Sequence, residues 1–239
     1  MLKIMNIGIF FIGIGRYVEM YDTFKESIER FFLPQHKKKY FIITDKEDFE
    51  CGENEEKVIV EDEGWVLINI NKFKYFLNFD FSDMDYVFFL NGNTICQREV
   101  FEKDVIPTEE ENYLCCLWHY SHNCLPFDTN KESSCYMIGE RSINAYRGAF
   151  FGGRSNEFLE LCQHCVEMVE KNGNYYPKYV DEAYFNKHIE NKKIKKIDNK
   201  IYSYIKACFP KMYTRDKNKI LGISYIKNKK ELVKQKLLK

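Results

Sequence analysis

A buried strand that ends in two amides is the first place in this sequence where chemistry could occur. Residues 86–90 are five consecutive apolar residues, aromatic side chains among them, which is typical of a strand buried on both faces. The strand stops at Asn91-Gly92-Asn93, where the glycine permits a tight turn and each asparagine presents a short amide. Ligands of open α/β sheets bind beyond the carboxyl ends of the strands, so this turn is a candidate binding site. Local chemistry alone favours the alternative of an ordinary Asn-Gly turn.

Two adjacent carboxylates form the second candidate. Asp181 and Glu182 open a helix predicted over residues 181–188. The partial positive charge of a helix N-terminus favours carboxylates there, and aspartate is also a common capping residue. Without further context these two residues are interpreted as helix-stabilising groups, and a role in chemistry needs an independent argument.

Among the nine cysteines, one pair has a spacing that suggests metal or redox chemistry. Cys162 and Cys165 are separated by two residues, one of which is His164. They lie within an amphipathic helix predicted over residues 156–171, and no second Cys/His pair stands at zinc spacing. We therefore interpret them as packed helical thiols. The odd cysteine count and an N-terminus without a leader pattern predict reduced thiols in a cytoplasm.

Strands and helices alternate along the chain, and these elements must position the candidate residues. The alternation predicts an α/β fold in one domain, with a central, mostly parallel sheet flanked by helices. A turn is predicted at residues 149–153, where two phenylalanines precede two glycines. The predicted strands cover residues 4–14, 39–44, 58–60, 86–90 and 113–118, and the predicted helices cover residues 18–33, 69–79, 156–171 and 181–188.

Composition and charge narrow the functional classes. A chain of 239 residues with 45% apolar content can build one sizeable core. Lys+Arg and Asp+Glu both total 36, so no global charge attracts nucleic acid. The apolar run at residues 4–14 is too short to span a bilayer. Residues 47–63 are mainly acidic and the chain from residue 187 onward is basic, which predicts an anion-binding flank or a peripheral membrane contact.

Seven short segments stand in a fixed order along the chain. They are Gly-Arg-Tyr-Val (15–18), Ile-Thr-Asp (43–45), Asn-Lys-Phe (71–73), the strand and turn at 85–93, Trp-His (118–119), the aromatic-glycine segment at 146–153, and Asp-Glu (181–182). In this order they resemble glycosyltransferase family six, which includes the blood-group A and B transferases and α-1,3-galactosyltransferase. The resemblance covers roughly residues 4–222. It implies a nucleotide-sugar-binding domain of the GT-A type at residues 1–222 and a basic tail at residues 223–239.

The resemblance implies that the donor is bound without a metal. Animal members carry Asp-x-Asp after the central strand, where it holds Mn²⁺. Asn91 and Asn93 stand there in this chain, as in short bacterial members that work without metal. Neutral amides lack the charge that hard cations favour, so neither a metal nor another cofactor is expected. Cations of the chain would then meet the charge of the diphosphate, and the available ones are Lys72, Arg215, Lys217 and Lys219.

The resemblance also implies catalytic and acceptor-binding roles. The family retains the anomeric configuration, and Glu182 stands where a carboxylate would support an oxocarbenium-like centre as a nucleophile or during front-face attack. Asp181 would accept hydrogen bonds from hydroxyls of the donor sugar, and His119 would contact hydroxyls of the acceptor.

Donor binding is implied at further positions. Arg147, Gly148 and Ala149 match the part of the family motif that shapes the donor-sugar pocket. The small Ala149 favours galactose, whereas the unusual Arg147 leaves N-acetylgalactosamine open. Ile12 and Tyr17 resemble part of the uridine pocket, with plain core packing as the alternative.

The function implied is a retaining, metal-independent hexosyltransferase of bacterial type. It would move galactose or N-acetylgalactosamine from UDP to the 3-hydroxyl of a galactoside-terminated or fucosylated glycan, in the cytoplasm or at the inner face of the membrane. Two departures favour an alternative, a degenerate module that binds nucleotide sugar or glycan without turnover. Val180 replaces the histidine of the family's His-Asp-Glu, and residues 127–130 replace its Tyr-Glu-Arg-Arg acceptor loop. A different nucleotide-sugar enzyme of the same architecture is a third possibility.

Overall fold

The structure is a computed structural model, and it describes residues 3–118, 126–138, 144–197 and 205–207. His119, Arg215, Lys217, Lys219 and the domain boundary predicted after residue 222 lie outside these residues. The strands are β1 (Asn6–Gly13), β2 (Lys37–Thr44), β3 (Glu55–Ile59), β4 (Tyr86–Leu90), β5 (Thr94–Cys96), β6 (Tyr113–Leu117), β7 (Tyr146–Arg154), β8 (Ile194–Lys196) and β9 (Ile205–Ala207). The helices are α1 (Tyr21–Phe31), α2 (Trp65–Phe76), α3 (Glu102–Val105), α4 (Ser155–Asn172) and α5 (Val180–Ile189), and a 3₁₀ helix covers Gly15–Met20.

Within the described residues, seven strands form a central sheet in the order β3-β2-β1-β4-β7-β6-β8. Four neighbouring pairs are parallel, and the two pairs that involve β7 are antiparallel. The predicted α/β architecture with a mostly parallel sheet is confirmed, and β7 is the strand that runs against the rest.

The carboxyl ends of β1, β2 and β4 meet at one edge of this sheet. The three strands are parallel and end at Gly13, Thr44 and Leu90. Because β7 is antiparallel to β4, with Leu90 opposite Phe150, its first residues lie at the same edge. The Asn91 N–H donates to the carbonyl of Ala149 (2.9 Å), which joins the asparagine turn to β7. The fold therefore gathers the sequence candidates at the edge where ligands of such sheets bind.

Aromatic side chains fill both faces of the sheet. Phe89 belongs to the cluster beneath α2, α4 and α5, while its neighbour Phe88 belongs to the cluster beneath α1, as expected for alternating side chains in a strand. Phe158 of α4 stacks on Phe10 and Phe151 with ring centroids 5.6 and 5.8 Å apart. The central strand is thus buried on both faces, as its sequence predicts.

The turn predicted at residues 149–153 was wrong, because this segment lies within β7. A Cβ added at Gly152 would lie 2.1 Å from a ring carbon of Phe88, so the glycine serves close packing rather than a change of chain direction. Arg147 is opposite Cys116 and Phe151 is opposite the preceding Cys115. Residues 148–150 therefore form a bulge that β6 does not match.

Two other sequence expectations differ in extent. The helix predicted at residues 18–33 is a 3₁₀ turn followed by α1, and α2 begins at Trp65, four residues before its predicted start at residue 69.

Cys162 and Cys165 are fully buried in the core, and burial raises the pKa of both thiols well above the usual range, as suits packed cysteines. No helix in the described part of the chain is long and apolar enough to cross a membrane.

Candidate active site

A buried lysine organises the candidate site. Lys72 of α2 is 1% exposed, and its ammonium donates to the carboxylate of Asp181 and to the carbonyl of Gly148 (3.1 Å). Three aromatic rings, those of Phe73, Phe89 and Phe151, lie with their centroids 4.7–5.3 Å from the ammonium. A buried charge is tolerated only when it is paired and hydrogen bonded, so the lysine and Asp181 hold each other in place.

This pairing changes the expectation for Lys72. The sequence offered it as a cation for the donor diphosphate, and that contact stays a prediction. In the structure the ammonium lies beneath Asp181 and is already engaged, so the contacts indicate that it positions the carboxylate.

Gly148 joins the two acids to the sheet. Its N–H donates to Oε1 of Glu182 (3.0 Å), while its carbonyl accepts from Lys72. A Cβ at this position would lie 2.6 Å from Oδ2 of Asp181 and 2.9 Å from Cγ of Glu182. Only glycine allows this approach, and the bulge at residues 148–150 brings its backbone toward α5.

The two acids at the start of α5 are held differently. Asp181 is buried and paired with Lys72, whereas Glu182 is half-buried and accepts the Gly148 N–H. Loss of hydration is the main cause that raises the pKa of Glu182 to about 7, and the neighbouring charge of Asp181 adds to it. The Gly148 hydrogen bond, Lys72 and Arg147 act in the opposite direction. Near neutral pH the site can therefore hold Glu182 either neutral or charged.

The residue before these acids has an uncommon backbone. Val180 has φ of +39°, in the left-handed region that β-branched residues rarely adopt, and it is buried. Its N–H donates to the carbonyl of Pro177 (2.9 Å), and the Glu182 N–H donates to that of Tyr179 (2.9 Å). Residues 177–182 thus form a tightly bonded entry to α5, in which Val180 carries backbone strain.

The asparagine turn contains an unsatisfied amide. Asn93 is 2% exposed, and among the described residues its amide nitrogen is the single buried side-chain N or O atom without a hydrogen-bond partner. A Cβ at Gly92 would lie 2.8 Å from the carbonyl of Ile12, so the turn packs directly on the end of β1. An unpaired buried donor costs about 1–3 kcal/mol, which a ligand with an acceptor atom would remove.

The turn carries no negative charge that would attract a metal ion. Asn91 and Asn93 offer only neutral amide oxygens to a cation, without the charge of carboxylates that hard cations favour. In the described part of the chain, no group of three or more His, Cys, Asp or Glu side chains could hold a metal ion. The unsatisfied donor of Asn93 fits an anionic oxygen better than a cation.

The two residues proposed for the uridine pocket lie at the same edge. Ile12 is half-buried near the end of β1 and packs against the core, and Tyr17 is half-buried in the 3₁₀ helix that follows. Between them, Gly15 has φ of +59° and its N–H donates to the carboxylate of Asp45 after β2 (2.9 Å). This bond fixes the loop after β1 against the end of β2.

The opposite side of the site is aromatic. Trp118 follows β6, and its ring lies edge-on to that of Tyr179 with centroids 6.0 Å apart. The Arg147 guanidinium carbon lies 5.5 Å from the Trp118 ring, and its Nε donates to the carbonyl of Leu117 (3.3 Å). His119, expected to contact the acceptor, lies outside the described residues.

Two aromatic residues and one role were not predicted from the sequence. Trp118 stood only within the Trp-His segment and Tyr179 was not identified, although each is an aromatic residue close to a predicted site residue. The positioning role of Lys72 had no sequence signal, because its partner is 109 residues away. The structure does bring Lys72, Gly148, Asp181 and Glu182 together and joins Asn91 to Ala149.

Comparisons with known proteins cover most of the chain. The sequence model of glycosyltransferase family 6 matches residues 1–234. The O-antigen biosynthesis glycosyltransferase WbnI of Escherichia coli is 30% identical over 76% of this chain and 81% of its own length. The glycosyltransferase 6 domain-containing protein 1 of Mus musculus is 23% identical over 76% of this chain and 63% of its own. The globoside alpha-1,3-N-acetylgalactosaminyltransferase 1 of Homo sapiens is 20% identical over 81% of this chain and 59% of its own.

Proposed function

This chain belongs to glycosyltransferase family 6, and we propose that it moves galactose or N-acetylgalactosamine from a UDP-sugar to the 3-hydroxyl of a galactoside-terminated or fucosylated glycan, with retention. The family implies a nucleotide-sugar donor and a glycan acceptor. The name of the human relative, an alpha-1,3-N-acetylgalactosaminyltransferase, supports the proposed linkage and one of the two donors. The small Ala149 supports the other, galactose.

The observation that carries this proposal is the pair of acids held by Lys72 and Gly148. The charge of Asp181 is balanced by the buried ammonium, so its carboxylate can accept hydrogen bonds from sugar hydroxyls without a further counter-ion. Glu182 is fixed by the Gly148 N–H beside it. An ionised Glu182 would stabilise positive charge that develops at the anomeric carbon, as nucleophile or as electrostatic partner of front-face attack.

The pKa of Glu182 adds a pH dependence to this chemistry. Because burial raises that pKa to about 7, the carboxyl gains its charge only as the pH passes through neutrality. The maximal transfer rate should therefore rise with pH through this region. A rate that is flat between pH 5.5 and 8.5 would argue that Glu182 does not act as a carboxylate.

Metal independence is part of the proposal. The neutral Asn91 and Asn93 and the unsatisfied Asn93 amide support donation of hydrogen bonds to the donor diphosphate. Lys217 and Lys219 would supply the positive charge that a metal supplies in other members. Cytoplasmic location, with contact of the basic tail at the inner face of a membrane, is likewise a proposal, which the buried thiols support.

A binding module without turnover is the second candidate. Val180 in place of the family histidine and the altered residues 127–130 favour it. In the structure Asp128 of that segment is buried and accepts from the hydroxyl of Tyr175 (3.0 Å), so at least this acidic residue serves the loop itself. Release of UDP with and without a galactoside acceptor separates the two candidates.

The deciding experiment compares Glu182→Gln with a matched control, Glu157→Gln. Both glutamates stand in the first turn of a helix, Glu182 in α5 and Glu157 in α4. We expect Glu182→Gln to lower turnover by about 100-fold or more with near-normal donor binding, because the charge at the reaction centre is lost. Asp181→Asn should also weaken donor binding, whereas Glu157→Gln should transfer at the normal rate. Equal activities of the two glutamine variants would remove the reaction centre from α5.

Two further measurements test donor binding. Transfer should survive excess EDTA and respond little to added Mn²⁺; full loss in chelator with recovery by Mn²⁺ would contradict metal independence.

Neutralising Lys217 and Lys219 should weaken binding of UDP more than that of uridine, because charge-assisted bonds to phosphate contribute about 1.5–3 kcal/mol each. Equal losses for the two ligands would assign the lysines to the solvated surface.

A further inference from the structure

Two cationic side chains flank a pair of aromatic rings near the entry to α5. The Lys178 ammonium lies 5.4 Å from the centroid of the Tyr179 ring, the Tyr179 and Trp118 rings are 6.0 Å apart at 79°, and Arg147 lies 5.5 Å from the Trp118 ring. We call this set the cation-aromatic ladder. Its members come from the end of β6, the start of β7 and the entry to α5.

The ladder borders the proposed reaction centre. Arg147 immediately precedes Gly148, whose N–H binds Glu182, and the carbonyl of Tyr179 accepts from the Glu182 N–H (2.9 Å). The hydrogen bond from Arg147 to the Leu117 carbonyl draws its guanidinium toward Trp118, at the carboxyl end of β6. A glycan that reached Glu182 across Trp118 would meet this arginine.

Resting on the proposed function, we propose that the acceptor glycan carries a carboxylate, as in a uronic acid unit next to the terminal galactoside, and that Arg147 recognises it. Aromatic rings suit the apolar C–H faces of a sugar, but a neutral galactoside gives no reason for a cation at each end of the aromatic pair. Arginine stacked on an aromatic ring still presents its N–H groups in the plane of the guanidinium, in the fork that matches a carboxylate.

The local charge supports an anionic ligand here. Among the described residues Lys72 balances Asp181, and the positive charge of Arg147 helps to lower the pKa of Glu182. The Lys178 ammonium adds a second positive charge at the Tyr179 ring. These charges oppose the repulsion that Glu182 would exert on an anionic acceptor.

The test uses two acceptors that differ only in this charge: a galactoside linked to glucuronic acid and the same galactoside linked to glucose. We expect kcat/KM to be about 10-fold or more higher for the uronate, mainly through a lower KM, and the preference to shrink between 50 and 500 mM salt. In Arg147→Gln the ratio of the two kcat/KM values should fall to about one, and Arg147→Lys should keep part of the preference. Lys187→Gln removes a half-buried cation, paired with Glu190, from the other end of α5 and should leave the ratio unchanged.

Binding of both acceptors, measured by calorimetry without donor, keeps the inference testable even if no turnover occurs. Absence of UDP release with every acceptor would overturn the proposed function, and a uronate preference in binding would still support the inference. Equal binding and equal kinetics for the uronate and the glucose compound would overturn the inference and leave the proposed function standing. A preference that persists in Arg147→Gln would overturn the assignment to this arginine.

Discussion

Each end of α5 buries a titratable group whose charged form is disfavoured, and burial shifts the two pKa values in opposite directions. At the N-terminal end, burial raises the pKa of Glu182 to about 7. At the C-terminal end, burial is the main cause that lowers the pKa of His188 to about 4, with the nearby His164 and Lys192 acting in the same direction and Glu160 against them. Nε2 of His188 is hydrogen bonded to the hydroxyl of Tyr113, and Nδ1 of His188 is hydrogen bonded to Nδ1 of His164, both at 2.9 Å.

The difference between the ends lies in how complete the hydrogen bonding is. Tyr113 donates to the carbonyl of Glu157, so its oxygen accepts from Nε2–H of His188, and Nδ1 of His188 then accepts from His164. The protein therefore satisfies the neutral histidine fully. The Asp181-Glu182 end instead keeps two acids close together, which suits a partner that arrives from outside. One end of the helix serves stability, and the other holds unfavourable electrostatics that a substrate could relieve.

The largest effect expected at either end comes from Lys72. Replacing it by Met leaves Asp181 buried without its counter-charge, so we expect the free energy of unfolding to fall by about 3–5 kcal/mol. The matched control Lys74→Met removes an exposed lysine two residues along the same helix and should change it by less than about 0.5 kcal/mol. Urea unfolding of both variants measures this.

A double variant sharpens that result. If the loss comes from the unpaired acid, Lys72→Met combined with Asp181→Asn should recover part of the stability that Lys72→Met loses. Additive losses would mean that the lysine stabilises the core through its aromatic neighbours rather than through the carboxylate.

The second effect is the pH dependence from His188. Its folded-state pKa of about 4 lies below the ordinary 6.5, so the unfolded chain binds more protons between these values. The stabilisation is present above pH 6.5 and is lost as the pH falls toward 4, by about 3 kcal/mol in total. Unfolding free energies at pH 7 and 4.5 should therefore differ less in His188→Gln than in the unmodified protein. The same difference in both proteins would contradict this.

The third effect has the opposite sign and belongs to Glu182. Its folded-state pKa of about 7 exceeds the ordinary 4.5, so its contribution is present below pH 4.5 and is lost as the pH rises through 7. Glu182→Gln should raise the unfolding free energy of the ligand-free protein by about 1–2 kcal/mol at pH 8. The neutral amide recovers only part of the stability that the protein loses when Glu182 becomes charged. At pH 4.5 the variant should differ little from the unmodified protein. Destabilisation at pH 8 would show that the ionised carboxylate supports the fold.

The smallest effect concerns the strained entry to α5. Because Asn tolerates positive φ, Val180→Asn should relieve about 1 kcal/mol of backbone strain, which roughly offsets the apolar contact that it loses. Val180→Ala loses apolar contact without relieving the strain and should be less stable by about 1–2 kcal/mol. Thermal unfolding should therefore rank asparagine above alanine at this position, and the reverse order would speak against strain.

The sequence predicted the fold because its signals were local. The alternation of elements and the apolar run at residues 86–90 gave the sheet, and the rule for carboxyl ends placed the asparagine turn at the edge where β1, β2 and β4 end. β7 was missed in part because two adjacent glycines usually mark a turn. Here they make room for Phe88, which only the packed sheet could show.

The site was predictable as a set of positions but not as a network. Asp181 and Glu182 were identified through their order among the motifs, yet the buried ammonium of Lys72 depends on a contact between α2 and α5 that no local pattern encodes. The unsatisfied amide of Asn93 was equally invisible, since an Asn-Gly-Asn turn on a surface would be hydrated.

The bulge in β7 has a consequence for how insertions and deletions act on this chain. Residues 148–150 are three positions for which β6 has no partner, and the pairing of β7 with β6 continues at Arg147 and Phe151 on either side of them. Deleting these three residues would bring Arg147 and Phe151 next to each other, opposite the adjacent Cys116 and Cys115, in an unbroken antiparallel register with β6. The β6 ladder could close without this segment, but the acids of α5 would lose the Gly148 backbone that holds them. One short in-frame deletion would thus remove the backbone that holds the acids, together with Phe150, which lies opposite Leu90 of β4, and the Ala149 carbonyl that binds the Asn91 N–H.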